Sequence, residues 1–198
     1  MTDAVSIQKP IKSTLTWYEN EQRKKYWHEA GHAVIARLNG FHVSWVSTDL
    51  EFIKNDPLAI EHECNQSEAV CMTISTPRIR PVLANRKPLN KAEKETVIGY
   101  CMHVLAGPRV EQWFDPESFN PFASQNDAAQ VSNMLALVEP NAAKNKSMLQ
   151  IARRRMDKMI AEEWDKIGQV AYALYQKGTV HAAELDHLIA GVGTYKAA

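Results

Sequence analysis

The spacing of apolar residues predicts a chain built mostly of helices. Apolar positions recur every three or four residues from Thr16 to Asn39, and Gly40 follows as a residue suited to end a helix. Gly107 and Pro108 divide a later helical pattern into two predicted helices. The later segments with helical spacing are 90–106, 108–114, 124–138, 141–177 and 181–190. The pattern over 141–177 fits either one long helix or two stacked helices.

Two short segments predict a small sheet. Residues 41–48 alternate, which would place Phe41, Val43 and Trp45 on one face of a half-buried strand. Residues 69–76 form a second strand candidate. A hairpin-like pair with a long polar connection is expected, and one of its edges is expected to be free.

The remaining segments predict loops and a tail. Residues 77–89 and 115–123 are rich in proline and are predicted to be loops, the first of them basic. Residues 1–13 are predicted to be a polar tail, and no linker divides 14–198, so a single domain is expected there. The predicted fold class is mainly α (α+β), with a small sheet beside the helices.

Two polar pairs mark predicted helix starts. Asn90 is followed three residues later by Glu93, the spacing of a capping box. Ser124 is followed at the same spacing by Asp127, which places this carboxylate in the first turn of a predicted helix. A carboxylate in that position interacts favourably with the positive end of the helix dipole.

Composition and charge exclude several classes of protein. The chain has 198 residues, with 23 Lys and Arg against 23 Asp and Glu, so a dedicated binder of nucleic acid or of anionic membranes is not expected. No apolar run reaches the ~18 residues of a membrane span, and the N-terminus lacks the apolar segment of a signal peptide. The three cysteines form no CxxC pair, which favours a reducing, cytoplasmic location.

Candidate chemistry is concentrated in the predicted helix over 16–39, where residues 28–32 read HEAGH. This HExxH pattern is expected about 0.02 times by chance in a chain of this composition. His28 and His32 lie one turn apart and about 40° around the helix, so both imidazoles can reach one zinc ion. The alternative is that both are ordinary histidines on a helix face.

The residues between the two histidines add to this signal. Glu29 lies about 60° to the side of His32, which suits a general base better than a metal ligand. Gly31 costs the helix ~1 kcal/mol relative to alanine and leaves room for a neighbouring element or a substrate.

A third metal ligand is needed because catalytic zinc sites use three protein ligands. The metzincin continuation is excluded, since Ile35 and Leu38 occupy its glycine and histidine positions. Glu51 follows a predicted strand and His42 lies just beyond the helix, so neither is well placed. Asp127 is the remaining strong candidate. Glu111 is a possible orienting partner of a ligand imidazole, but spacing alone does not assign it to the site.

Three ordered segments, HEAGHAVIA, LAGPRVEQ and SQNDAAQVSNML, resemble the successive signatures of the FtsH-type zinc peptidase domain. The resemblance spans about residues 24–190. It implies a helical, zincin-like domain in which His28, His32 and Asp127 bind Zn²⁺ and Glu29 is the catalytic general base. It also implies that substrate peptides add to an exposed strand beside the metal, either 41–48 or 69–76.

The expected function is that of a zinc metallopeptidase acting on short or unfolded polypeptides. The sequence contains no Walker A motif and no ATPase module, so cleavage without ATP-driven unfolding is expected, with a homo-oligomer or a separate partner protein left open. Neither nucleic acid binding nor membrane insertion is expected. The alternatives are a non-catalytic module that captures peptides on its exposed strand and a structural helical domain without metal.

Overall fold

The computed structural model describes residues 23–84 and 88–191, and these residues are mainly helical with one small antiparallel sheet. The helices are α1 (Arg23–Leu38), α2 (Leu50–Asn55), α3 (Pro57–Glu61), α4 (Thr76–Ala84), α5 (Lys91–Phe114), α6 (Gln125–Val138), α7 (Ala142–Glu162), α8 (Trp164–Lys177) and α9 (Ala182–Ala190). The strands are β1 (His42–Ser47), β2 (Val70–Ile74) and β3 (Thr179–His181). The expected fold class, mainly α with a small sheet, is confirmed. The predicted tail 1–13 and the start of the first predicted helix lie outside the described residues.

Helix α1 lies at the centre of the core and packs against α5, α8 and the sheet. Trp27 is stacked between Phe114 of α5 and Trp164 of α8, with ring centroids 4.8 Å away on each side. Burial of these large aromatic surfaces fixes the position of the N-terminal half of α1. Gly40 follows α1 with φ of 74°, as expected for a residue that ends a helix.

Helix α5 crosses α1 at unusually close range and runs without a break from Lys91 to Phe114. The prediction of two helices separated at Gly107 and Pro108 is therefore wrong. A Cβ added at Gly31 of α1 would lie 2.9 Å from Val110 Cγ2 and 3.0 Å from the Ala106 carbonyl oxygen. Gly31 and Gly107 have no side chain, which allows the two helices to cross this closely. The packing of α5 against α1 outweighs the local cost of Gly107 and Pro108 inside the helix.

Strand β1 is the middle strand of the sheet, whose order is β2-β1-β3. It pairs antiparallel with β2, as the predicted hairpin-like arrangement requires. The register shifts between Val43 and Trp45, which marks a bulge at Ser44. Val43 and Val46 therefore face the main core, whereas Trp45 packs against a second cluster around Ile53. The prediction that Trp45 shares a face with Val43 is wrong because the bulge reverses the alternation.

The polar connection after β1, for which the sequence predicted no element, contains the short helices α2 and α3. The Asp49 side chain accepts hydrogen bonds from two backbone N–H groups of α2, and Asp56 does the same for α3. Pro57 stands in the first turn of α3, where its missing N–H costs nothing. Local capping thus converts a polar segment into two helical turns.

The basic, proline-rich segment 77–89 is also not the predicted loop over most of its length. Helix α4 spans Thr76–Ala84 and includes Pro81, while Ile79 and Val82 are buried. Pro77 lies in the first turn, where proline is tolerated. Residues 85–87 lie outside the described residues.

Other boundaries agree with the sequence pattern. The capping box of Asn90 and Glu93 is present at the start of α5. Ser124 stands at the predicted start of α6, but among the described residues its side chain makes no capping hydrogen bond. Within the predicted loop 115–123, a 3₁₀ turn begins at Pro121 and runs to Ser124.

The 141–177 pattern corresponds to two helices, α7 and α8, which settles the choice between one helix and two. Gly178 follows with φ of 74°. The next three residues form β3, a strand that the sequence pattern did not reveal, and α9 then ends at the predicted residue, Ala190. Of the helices in the described part of the chain, none combines the length and the apolar character needed to cross a membrane.

Candidate metal centre

Three ligand atoms from two helices converge on one point. His28 and His32 of α1 bring their Nε2 atoms to 3.0 Å from each other. Asp127, in the first turn of α6, places Oδ2 3.6 Å from His28 Nε2 and 4.0 Å from His32 Nε2. The structure thus brings together the three residues that the sequence proposed as ligands.

The other nitrogen of each imidazole has an acceptor from α5. His28 Nδ1 lies 3.0 Å from Glu111 Oε2, and His32 Nδ1 lies 2.7 Å from the backbone oxygen of His103. A carboxylate and a carbonyl both accept hydrogen bonds, so each Nδ1 carries the proton and donates it. In the neutral imidazoles both Nε2 atoms then expose lone pairs.

The converging lone pairs fit a cation. Two imidazole acceptors 3.0 Å apart, with a carboxylate oxygen beside them, repel one another unless a positive charge lies between them. The three separations form a triangle whose circumscribed circle has a radius of about 2.1 Å, close to the bond length of zinc to nitrogen or oxygen. His28, His32 and Asp127 therefore form a group able to hold a metal ion.

Access from solvent is preserved at this group. The side chains of His28, His32 and Asp127 are 18%, 12% and 18% exposed. They are buried enough to be held in place, yet each keeps some contact with solvent. A group of three protein ligands with an open side is the arrangement found in catalytic metal sites, whereas structural sites are closed by a fourth protein ligand.

Glu29 lies next to the ligand group but is not one of its members. Burial raises the pKa of the Glu29 carboxyl to about 7; nearby His32 opposes this shift and Asp127 adds to it. The backbone of Cys71 in β2 is close enough to the carboxylate to act on this pKa, which it lowers. Glu29 is thus held between the metal ligands and strand β2, at a protonation equilibrium suited to general acid–base chemistry near neutral pH.

The thiol of Cys71 interacts electrostatically with the Glu29 carboxylate. Burial, followed by the charge of Glu29, raises the pKa of the Cys71 thiol far above its usual range. The thiol therefore stays protonated at neutral pH, and a protonated thiol is a poor metal ligand. Within residues 23–84 and 88–191, the only group of three close potential ligands is that of His28, His32 and Asp127.

Gly107 of α5 faces the ring of His32. A Cβ at this position would lie 2.3 Å from His32 Nε2 and 2.6 Å from Cδ2, well inside van der Waals contact. The absent side chain therefore leaves the space that the imidazole occupies. The sequence pattern indicated a helix end at Gly107, and its contact with His32 depends on a crossing of two helices that spacing cannot reveal.

Two groups of α5 contact the ligand imidazoles, and the sequence did not assign either of them to the site. Glu111 was recognised as a possible orienting carboxylate, and the structure places it on His28. The carbonyl of His103 carried no sequence signal, because any residue supplies a carbonyl. Glu51 and His42, the weaker ligand candidates, are exposed and lie outside the ligand group.

Comparisons with known proteins add no assignment. No model of a known protein family matches the chain, and a search of curated protein sequences finds no match either. The case for a function therefore rests on the motifs and on the geometry of the metal centre.

Proposed function

We propose that this chain is a zinc-dependent metalloendopeptidase that hydrolyses short or unfolded polypeptides. The observation that carries the proposal is the convergence of His28, His32 and Asp127, with the carboxylate of Glu29 held beside them. Two imidazoles and one carboxylate are a donor set of catalytic zinc sites, in which the fourth position is left for water or substrate. The same donors also suit ferrous iron, but a base one residue after the first histidine is typical of hydrolytic zinc sites.

The metal would be held by Nε2 of His28, Nε2 of His32 and Oδ2 of Asp127. When bound, zinc supplies a Lewis acid that polarises a peptide carbonyl and lowers the pKa of water. Glu111 and the His103 carbonyl fix both imidazoles in the tautomer that presents Nε2 to the metal. The ligand geometry is therefore set by α5 before the metal arrives.

Glu29 is the proposed general base. Its carboxylate is buried on helix α1 beside both metal-ligand histidines, so it could accept a proton from a water molecule at the metal centre. The same group can return that proton to the leaving amine nitrogen. These two transfers are the contribution of this chain's own acid–base chemistry to peptide hydrolysis.

The proposed substrate platform is the outer edge of β2. Strand β1 has neighbours on both sides, so among the two strands considered from the sequence only β2 retains an edge. Cys71 lies in β2, and its backbone and the Glu29 carboxylate are close enough for the one to act on the pKa of the other, which supports a position of β2 next to the proposed base. Main-chain hydrogen bonds to an added strand would hold peptides of varied sequence.

The resemblance to the FtsH-type peptidase domain supports the same proposal. The three motifs that carry it lie on α1, α5 and α6, and each supplies a residue to the centre: His28, Glu111 and Asp127. The motifs are far apart in the chain, and their meeting at one site is what the resemblance implies.

The decisive experiment combines metal analysis with peptide cleavage. We expect about one zinc per chain in the wild type, strongly reduced binding in Asp127→Ala, and full metal binding without cleavage in Glu29→Gln. Iron in place of zinc, or unchanged cleavage by purified Glu29→Gln, would contradict the proposal. Peptide binding without cleavage by the zinc-loaded wild type would instead favour a non-catalytic capture module.

A further inference from the structure

A cavity of about 260 Å³ includes in its lining two residues that lie on α1 within one helical turn before His28. It is lined by Lys25, Tyr26, Thr48, Leu50 and Glu68. Lys25 and Tyr26 belong to α1, Thr48 and Leu50 follow β1, and Glu68 lies two residues before β2. The cavity therefore sits where the first turn of α1 meets the end of the sheet at which β1 finishes and β2 begins.

Residues that line the cavity lie close in the chain to the proposed base and to strand β2. Lys25 lies four residues before Glu29, so both side chains lie on the same face of α1, about 6 Å apart along the helix. On the other side of the cavity, Glu68 precedes Cys71 by three residues, and residues 68 and 69 form a bend that leads into β2. A peptide on the edge of β2 that passes Glu29 thus reaches the cavity within three residues.

The direction of such a peptide follows from the sheet. Both strand pairings in the described sheet are antiparallel, so we take an added strand to run antiparallel to β2. The segment that extends toward Glu68 is then the part of the peptide that follows the cleaved bond. Residues before the bond would extend along β2 in the other direction, away from the cavity.

The lining favours an apolar side chain. Lys25 and Glu68 form an ion pair with each other, so neither charge is left to attract a charged side chain of the substrate. Leu50 is 60% exposed, and the buried ring of Tyr26 lies on the same cavity. A single exposed leucine is ordinary on a protein surface, but this one forms the wall of a cavity in line with the edge strand.

We infer that this cavity is a substrate subsite that binds a large apolar side chain within three residues after the cleaved bond, with Leu50 as the residue that determines its specificity. The inference rests on the proposed peptidase function and adds to it the class of substrate. The volume suffices for a leucine or phenylalanine side chain, and burial of such a side chain against Leu50 and Tyr26 provides the binding free energy. The ion pair of Lys25 and Glu68 encloses the subsite between helix and strand.

The test uses a mixed peptide library with the zinc-loaded wild type and two matched variants, Leu50→Glu and Ile60→Glu. The side chains of Leu50 and Ile60 are 60% and 53% exposed, so neither substitution disturbs the core. Ile60 does not line the cavity and serves as the control. Mass spectrometry of the products gives the preference at each position around the cleaved bond. A third variant, Leu50→Lys, reverses the introduced charge.

We expect the wild type and Ile60→Glu to prefer apolar over acidic residues after the cleaved bond by about tenfold or more. Leu50→Glu should lose this preference and gain one for basic residues, and Leu50→Lys should gain one for acidic residues. Cleavage with the same preference in all four proteins would overturn the subsite while leaving the peptidase proposal intact. A preference that moves only at positions before the bond would also overturn it.

Absence of cleavage by the wild type would refute the peptidase proposal and is followed by a binding measurement. Fluorescence anisotropy of two labelled peptides, identical except for leucine or aspartate at one position, is then compared for the wild type and Leu50→Glu. Equal affinity of the wild type for both peptides would overturn the subsite as well. A leucine preference that Leu50→Glu abolishes would support the subsite as part of a capture module.

Discussion

Replacing Gly107 by alanine tests whether the close crossing of α1 and α5 builds the metal centre. The added Cβ would lie 2.3 Å from His32 Nε2, whereas ordinary contact begins near 3.4 Å. The imidazole would have to move by about 1 Å, and metal–ligand distances tolerate about 0.2 Å. Loss of His32 as a ligand leaves two of three, so we expect metal affinity to fall by at least about 100-fold.

Gly99→Ala is the matched control on the same helix. Its added Cβ would lie 3.2 Å from the Asn39 side chain, a contact that a shift of a few tenths of an ångström relieves. Both substitutions gain ~1 kcal/mol of intrinsic helix propensity. They therefore differ mainly in what the new methyl group meets, the ring of His32 in one case and an amide side chain in the other.

The assay is competition for zinc against a coloured chelator, with thermal unfolding of the metal-free proteins measured alongside. Gly107→Ala should lose affinity while its metal-free form stays folded, and Gly99→Ala should bind zinc as the wild type does. Equal zinc affinity in all three proteins would refute the reasoning, because it would mean that α5 does not confine His32. An unfolded metal-free Gly107→Ala would show that the helix crossing, and not the imidazole alone, depends on the glycine.

Three further predictions address the metal centre and the helix caps. Glu111→Gln keeps an acceptor for His28 but removes its charge, so zinc affinity measured by the same competition should fall by about 10–100-fold; an unchanged affinity would contradict the orienting role. Chelation of the metal should lower the melting temperature, because zinc at 100 times its Kd adds about 2.7 kcal/mol to the free energy of unfolding. For a chain of this size that corresponds to about 5–10 °C. A melting temperature that does not change with zinc would favour a domain without metal. Asn90→Ala should cost about 1 kcal/mol in urea unfolding through loss of the capping box, whereas Ser124→Ala, which removes no capping bond, should cost much less; equal costs would contradict this account of the caps.

The ligand group was accessible from sequence because local spacing determines most of it. The separation of His28 and His32 fixes their directions on any helix. The position of Asp127 in the first turn of a helix was predictable from Ser124, three residues before it. Elimination of the other residues left Asp127 as the strong candidate for the third ligand, and the resemblance then implied that role, since no local rule brings α6 to α1. The helical frame was likewise predictable where a cap was strong, as at Asn90.

The wrong predictions of helices and strands occur where tertiary contacts, or the caps of short helices, outweigh the local sequence pattern. Proline and glycine indicated a break in α5, but the break is absent because Gly107 lies at a helix crossing. The helices α2 and α3 were missed although Asp49 and Asp56 are good capping residues, because helices of six and five residues are too short for a helical period to show. The bulge at Ser44 is not visible in the sequence, because Trp45 after the bulge is apolar, as is Val43 before it. The apolar pattern therefore continues to alternate, although the two side chains face different clusters.

The geometry of the metal centre depends on α5 as much as on the HExxH helix. Gly31 lets the two backbones approach, Gly107 leaves space for the His32 ring, and the same approach brings Glu111 and the His103 carbonyl to the Nδ1 atoms. An isolated helix with the HEAGH sequence would leave both imidazoles free to adopt either tautomer and several rotamers. The crossing removes that freedom, so the cost of ordering the ligands is met by folding and does not reduce metal affinity. It follows that substitutions widening the crossing should weaken metal binding even where no ligand is changed.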